Sequence, residues 1–243
     1  MADKACFEPR WLGMMDYDEA WELQKTLAGE VGAGLQPPTL LLLEHPHVFT
    51  LGRQANSRHL LWDEAALTEH GVLLRQIDRG GDITYHGPGQ LVGYPIIPLR
   101  RPDEQTGNKL SIDVVNYVRK LEKTLIYAMA SLGLVTGQRA GLTGVWVQAD
   151  VISRCLHCDP ASKKEPAKIA SIGVKVDAQG VTRHGFALNV NPDMSYFAGI
   201  VPCGIEGVTM TSLAELLEPA PQMAEVVEKV TQSFSEVFEY ERV

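Results

Sequence analysis

The chain lacks most of the features that mark readily recognised function classes. It is short of positive charge, with 22 Lys and Arg against 30 Asp and Glu and a net charge of −8. General nucleic-acid binding leaves a basic footprint, so no nucleic-acid partner is expected. Cysteine is sparse: Cys6, Cys155, Cys158 and Cys203 in 243 residues do not make a disulfide framework, and each is judged as a thiol. No apolar run approaches the ~20 residues needed to cross a bilayer, so no membrane partner is expected. The segment Met1–Cys6 carries neither an apolar signal core nor an Arg-rich amphipathic leader, which points to the cytoplasm.

Sequence signatures of common enzymes are missing too. There is no G-x-x-x-x-G-K-[ST] phosphate loop, no G-x-S-x-G hydrolase elbow and no H-E-x-x-H zinc motif. Gly87-x-Gly89 is followed by Gly93, one residue too late for the dinucleotide fingerprint, and it runs into strand-like rather than helical sequence. Neither a cofactor nor a metal is expected. The apolar content of 45% is ample for a core, and the length suits one domain over 1–243.

Several elements can be read from periodicity. Asp16-x-x-Glu19 reads as a capping box for a helix with Ala20, Leu23, Leu27 and Val31 on one face. Thr39–Glu44 is a short continuous apolar run, as expected of a buried strand, and Val72–Ile77 reads as another. A helix is expected between Ser111 and Leu132, stopped by Gly133, and a last one over 222–239. Further strands are expected at 144–148, 168–176 and 181–190. Regular βαβ alternation is absent, so the fold class is α+β, with mixed sheets packed with helices.

The densest stretch is Arg79-Gly80-Gly81-Asp82-Ile83-Thr84-Tyr85-His86-Gly87-Pro88-Gly89-Gln90. Glycine costs backbone entropy, so such a cluster among polar groups marks a place where main chain comes close to something, here a binding wall. Far downstream, Val201-Pro202-Cys203-Gly204 sets a cysteine in a tight corner, a candidate nucleophile if a nearby cation favours its thiolate. Lys168, opening an expected strand, is the candidate cation, although strand-start lysines are also often simply solvated. Small residues interrupt two strands, at Ser171-Ile172-Gly173 and at Gly185-Phe186-Ala187. They leave room for a narrow apolar chain, or else for tight packing.

Residues 149–166 form a polar, proline-punctuated loop insert. Cys155-x-x-Cys158 inside it lacks the second ligand pair that structural zinc requires, so inert thiols are the favoured reading. Arg154, Lys163 and Lys164 make it locally basic, suited to docking an acidic carrier.

In combination these motifs resemble the lipoyl(octanoyl) transferases of the biotin/lipoate protein ligase superfamily. The matching features are Arg79-Gly80-Gly81, Thr84–Pro95, Lys168–Val174, His184–Val190 and Pro202-Cys203-Gly204, in that order. The resemblance implies a biotin/lipoate protein ligase-like fold. It also implies an enzyme that moves an octanoyl group from octanoyl-acyl carrier protein onto Cys203. The group would then pass to a specific lysine on lipoyl domains of 2-oxoacid dehydrogenase complexes or on the glycine-cleavage H protein. Lys168 would lower the thiol pKa and assist proton transfer. Residues 79–86, 171–173 and 185–187 would line the acyl pocket, with His86 binding or orienting. Two alternatives stay open: an ATP-dependent lipoate or biotin ligase, which needs no catalytic cysteine, and a non-catalytic carrier-binding module.

Overall fold

A computed structural model of the chain describes residues 5–99, 101–102, 110–148 and 166–243. The insert cysteines Cys155 and Cys158 and the basic Arg154, Lys163 and Lys164 lie outside the described residues.

The first half of the chain forms β1 (Cys6–Met14), α1 (Tyr17–Gly32), β2 (Thr39–Glu44), β3 (Val48–Leu51), α2 (Glu64–Glu69), β4 (Leu73–Gln76), β5 (Ile83–His86) and β6 (Gln90–Ile96). A short β7 (Arg101–Pro102) and β8 (Leu110–Ser111) precede α3 (Val114–Ser131), β9 (Thr136–Arg139) and β10 (Leu142–Val147). The remainder forms β11 (Ala167–Val176), β12 (Thr182–Asn189), β13 (Thr209–Met210), α4 (Leu213–Leu216), α5 (Met223–Phe238) and β14 (Glu241–Arg242).

Strand β2 shows why its sequence is apolar throughout. Side chains alternate across a strand. Leu40 and Leu42 join one core cluster while Leu41 and Leu43 join another, so both faces are covered. On the first face lie α3, through Leu121, Leu125 and Ala128, and α5, through Val226, Val230 and Phe234. On the second lies α1, through Ala20, Leu27 and Val31. Asp16 caps α1 by accepting from the Asp18 N–H at 2.8 Å and the Glu19 N–H at 3.4 Å. The reciprocal capping box is complete elsewhere, between Ser212 and Glu215 at the start of α4.

The main sheet runs β14-β1-β2-β6-β12-β11-β10-β9, with β13 attached to β11. A smaller sheet, β4-β3-β5, packs on an aromatic cluster of Phe49, Tyr85 and Phe197. The loop 79–82 thus leaves the small sheet and crosses the broad one, and a cavity opens between them.

Candidate active site

Cys203 and Lys168, 35 residues apart in sequence, are neighbours: Lys168 Nζ lies 3.2 Å from Cys203 Sγ. Each is positioned by its own device. Cys203 sits in a single turn at φ +58°, in the left-handed region that a non-glycine residue enters only at an energetic cost. That turn is held by Gly204 N–H to Val201 O at 3.0 Å and Ile205 N–H to Pro202 O at 3.1 Å, and is tied to its neighbour by Val201 N–H to His59 O at 2.8 Å. Gly204 must be glycine, because a Cβ there would lie 2.6 Å from the Asp82 carboxylate, which pairs with His59 Nδ1 at 2.7 Å. Asp82, expected to line the pocket, does so, and it also braces the Cys203 turn.

Lys168 is the second residue of β11 and is fully buried. Its ammonium lies 5.5 Å from the centre of the Trp146 ring on the paired strand β10, and no carboxylate pairs with it among the described residues. A buried cation needs a counter-ion. Cys203 Sγ is the group placed to become one. Partial burial pushes the thiol up. The Lys168 charge, hydrogen bonds from Ser171 (3.6 Å) and Lys168, and the more distant Arg79 charge outweigh this and leave the Cys203 pKa below its ordinary value.

Space for the Lys168 side chain comes from Gly144, at φ +123°, where a Cβ would approach Lys168 Cε to 2.6 Å. The buried Glu122 carboxylate holds this position, accepting from Gly144 N–H at 3.0 Å, Gln138 Nε2 at 2.7 Å and Arg119 at 2.7 Å. Gly144→Ala is therefore expected to displace the ammonium. A displacement near 1 Å at a reacting centre costs about a hundredfold in rate. The check is the pH dependence of Cys203 alkylation, whose midpoint rises if the ammonium has moved away, with circular dichroism confirming that the fold survives.

A cavity of about 570 Å³ extends from this pair along β11 and β12. Its size falls within the ~300–1,000 Å³ of small-ligand sites. Of the residues expected to line it, Arg79, Gly80, Gly81, Asp82, Ile83, Thr84, His86, Ser171, Ile172, Gly173, Gly185, Phe186 and Ala187 do, together with Lys168 and Cys203. Tyr85 does not. It alternates to the far side of β5, where its hydroxyl meets His47 Nδ1 at 3.0 Å and its ring stacks on Tyr196. Gly173 and Gly185 contribute main chain to the wall, but not because a ligand replaces their side chains. A Cβ on Gly173 would strike Arg79, and one on Gly185 would strike Gly93 O. Both positions allow protein-on-protein contact, the packing alternative left open by the sequence.

Arg79 cross-ties the wall. It donates to Gly80 O and Asp82 O (3.0 and 2.8 Å) and to both Thr50 O and Thr50 Oγ1 (2.7 and 2.9 Å). His86 is buried, and burial lowers its pKa well below the ordinary value, with His45 acting in the same direction. Its Nδ1 bonds to Gln90 Oε1 at 2.8 Å. A neutral, fixed ring suits an orienting role better than proton shuttling. Sequence reading missed Tyr17, Tyr94, Trp146, Glu122 and His59. Tyr94 and Trp146 fell inside apolar runs that read as core, and Glu122 lay on the buried side of a helix without any signal of its own.

The fold defines the class: a mixed sheet flanked by helices, with a cavity beside a thiol–ammonium contact. A model of the "Lipoyl protein ligase A/B catalytic domain" matches residues 16–235. Over 231 residues the chain is 47% identical to an octanoyltransferase of Chloroflexus aurantiacus, covering 95% of this chain and 93% of that one. It is 44% identical over 224 residues to an octanoyltransferase of Mycolicibacterium gilvum, covering 92% and 82%. A bi-partite lipoate protein ligase from Thermoplasma acidophilum shares the fold at TM-score 0.65 and 14% identity, over 99% of this chain and 87% of that one. A lipoate-protein ligase A solved with ATP does so at TM-score 0.64 and 14% identity, over 99% and 90%. The chain belongs to the lipoyl protein ligase A/B catalytic-domain family.

Proposed function

We infer that the protein is an octanoyltransferase working through a thioester on Cys203, and that residues 1–243 act as a single catalytic domain. The observation that carries this reading is the 3.2 Å contact between the Cys203 sulfur and a buried ammonium that no carboxylate among the described residues pairs with.

In the first half-reaction the Cys203 thiolate attacks the carbonyl of octanoyl-acyl carrier protein. A new S–C bond forms, the carrier's C–S bond breaks, and the carrier sulfur takes a proton. In the second, a lysine amine of a lipoyl domain, on a 2-oxoacid dehydrogenase complex or the glycine-cleavage H protein, attacks the enzyme thioester. The amide forms, Cys203 leaves as thiolate beside Lys168, and the amine proton is released. Thioester exchange is nearly isoenergetic and amide formation runs downhill, so no nucleotide is consumed. Splitting the transfer gives ping-pong kinetics.

Each tetrahedral oxyanion needs donors. The Gly204 and Ile205 N–H groups are already spent inside the turn, so the Lys168 ammonium and Ser171 hydroxyl are the donors we assign. From Ser171, beside the sulfur, to Val174, opposite His184, β11 runs about 10 Å at ~3.3 Å per residue. An extended octanoyl chain matches that length, lying against Ile172 and Phe186. A nucleophilic thiol that must stay reduced fits a cytoplasmic setting. Among the described residues, no helix is long and apolar enough to cross a membrane.

The test is direct. Enzyme, octanoyl-acyl carrier protein and an unmodified lipoyl domain, without nucleotide, are expected to yield a lipoyl domain heavier by one octanoyl group on a single lysine. A strict requirement for ATP would favour the ligase reading instead.

A further inference from the structure

The Cys203 turn is a partition. On one side lies the acyl cavity; on the other, a second cavity of about 730 Å³ is lined by Pro202, Ile205, Val208 and Met210, with Arg58 and Glu206 among its polar residues. Ile205 borders both spaces. His59 also faces the second cavity, held in place by Asp82.

A thioester substrate has two arms, one on each side of the reacting carbonyl. If the acyl arm fills the first cavity, the thiol arm must leave Cys203 by another route, and the second cavity adjoins the sulfur's own turn. We propose that it receives the thiol-bearing arm of the donor, an amide chain ending in a phosphodiester, with Arg58 as the phosphate contact. This rests on the octanoyltransferase reading.

Charge decides between the two substrates that visit Cys203. Arg58 is exposed and has no carboxylate partner among the described residues, so its guanidinium is available to an anion. The acceptor brings a lysine, a cation, which Arg58 repels. Glu206 is the single carboxylate among the lining residues and would oppose a phosphate placed close to it, so the phosphate is assigned to the Arg58 side. The apolar floor of Val208 and Met210 suits the hydrocarbon parts of the arm.

Two small donors separate the possibilities: octanoyl-pantetheine and its 4′-phosphate ester, with Cys203 acylation followed by intact-protein mass. Wild-type enzyme is expected to be acylated by both and to favour the phosphorylated donor. Arg58→Glu should lower kcat/KM about tenfold for the phosphorylated donor, equivalent to about 1.4 kcal/mol, and leave the other within about twofold. Arg58→Lys should restore most of the loss. Equal effects on both donors, or none on either, would overturn the proposal, as would a change confined to the KM of the lipoyl-domain acceptor. If neither donor acylates wild-type Cys203, the octanoyltransferase reading itself fails.

Discussion

Cys203→Ser is expected to abolish octanoyl transfer, lowering the rate by at least ~10⁴-fold, to the level of uncatalysed aminolysis of the donor. A serine hydroxyl stays protonated beside Lys168, because that ammonium can stabilise a thiolate but cannot bring an alcohol into the same range. The substitution is nearly isosteric and the side chain is only partly buried, so the fold should persist and the melting temperature should shift little. The comparison also separates the transferase from an ATP-dependent ligase of the same fold, which forms no cysteine adduct. The measurement is transfer to a lipoyl domain by mass, with and without ATP. Retained activity would move the chain to the ligase side of the family.

Lys168→Met should be nearly as severe, for a different reason. It removes the cation that does most to offset the burial of Cys203, leaving only the Ser171 hydrogen bond and the more distant Arg79 charge against it, so the thiol pKa rises from its lowered value toward the ordinary ~8.5 or beyond. The sign follows directly. In the native enzyme the thiolate forms at a lower pH than usual, so activity falls only when acid protonates it. In the variant the acidic limb of the profile moves to higher pH, and activity at neutral pH drops about a hundred- to a thousandfold, since the cation, an oxyanion donor and a proton carrier are lost together. Raising the pH should recover part of the acylation rate. Stability should not fall, because a buried charge is replaced by an apolar chain of similar length. An unmoved alkylation midpoint for Cys203 in Lys168→Met would show that the ammonium does not set the thiol's state.

The sequence was informative where one periodicity or one local rule decided the structure. The apolar run Thr39–Glu44 is a two-sided strand, the expected helices are found as α3 and α5 with Leu121, Leu125, Val226, Val230 and Phe234 buried, and Pro202-Cys203-Gly204 is a corner. Lys168 was readable as a candidate because a lysine opening a strand can point its ammonium into a site where a reactive cysteine needs a cation. Other features depended on phase rather than composition. Tyr85 sits within the signature stretch yet turns away from the cavity, its hydroxyl on His47 and its ring on Tyr196, while Ile83, Thr84 and His86 around it line the cavity.

Contacts that no local pattern encodes were not readable at all. Glu122 reaches Gly144 across 22 residues, and His59 meets Asp82 across 23. In the first a carboxylate holds the main chain of a glycine beside Lys168; in the second a carboxylate fixes the histidine whose carbonyl accepts from the Val201 N–H. Nor could spacing tell whether Gly173 and Gly185 make room for ligand or for protein. The answer is protein: the Arg79 side chain and the β6 main chain occupy the space.

An octanoyl thioester on Cys203 is the intermediate on which the transfer turns. Enzyme mixed with octanoyl-acyl carrier protein, with no acceptor and no nucleotide, then digested and sequenced by mass spectrometry, measures it. The predicted result is one octanoyl group per chain, located on Cys203, released by hydroxylamine and discharged on adding a lipoyl domain. Folded, carrier-competent enzyme that passes octanoyl groups to lipoyl domains while Cys203 stays unmodified would contradict it.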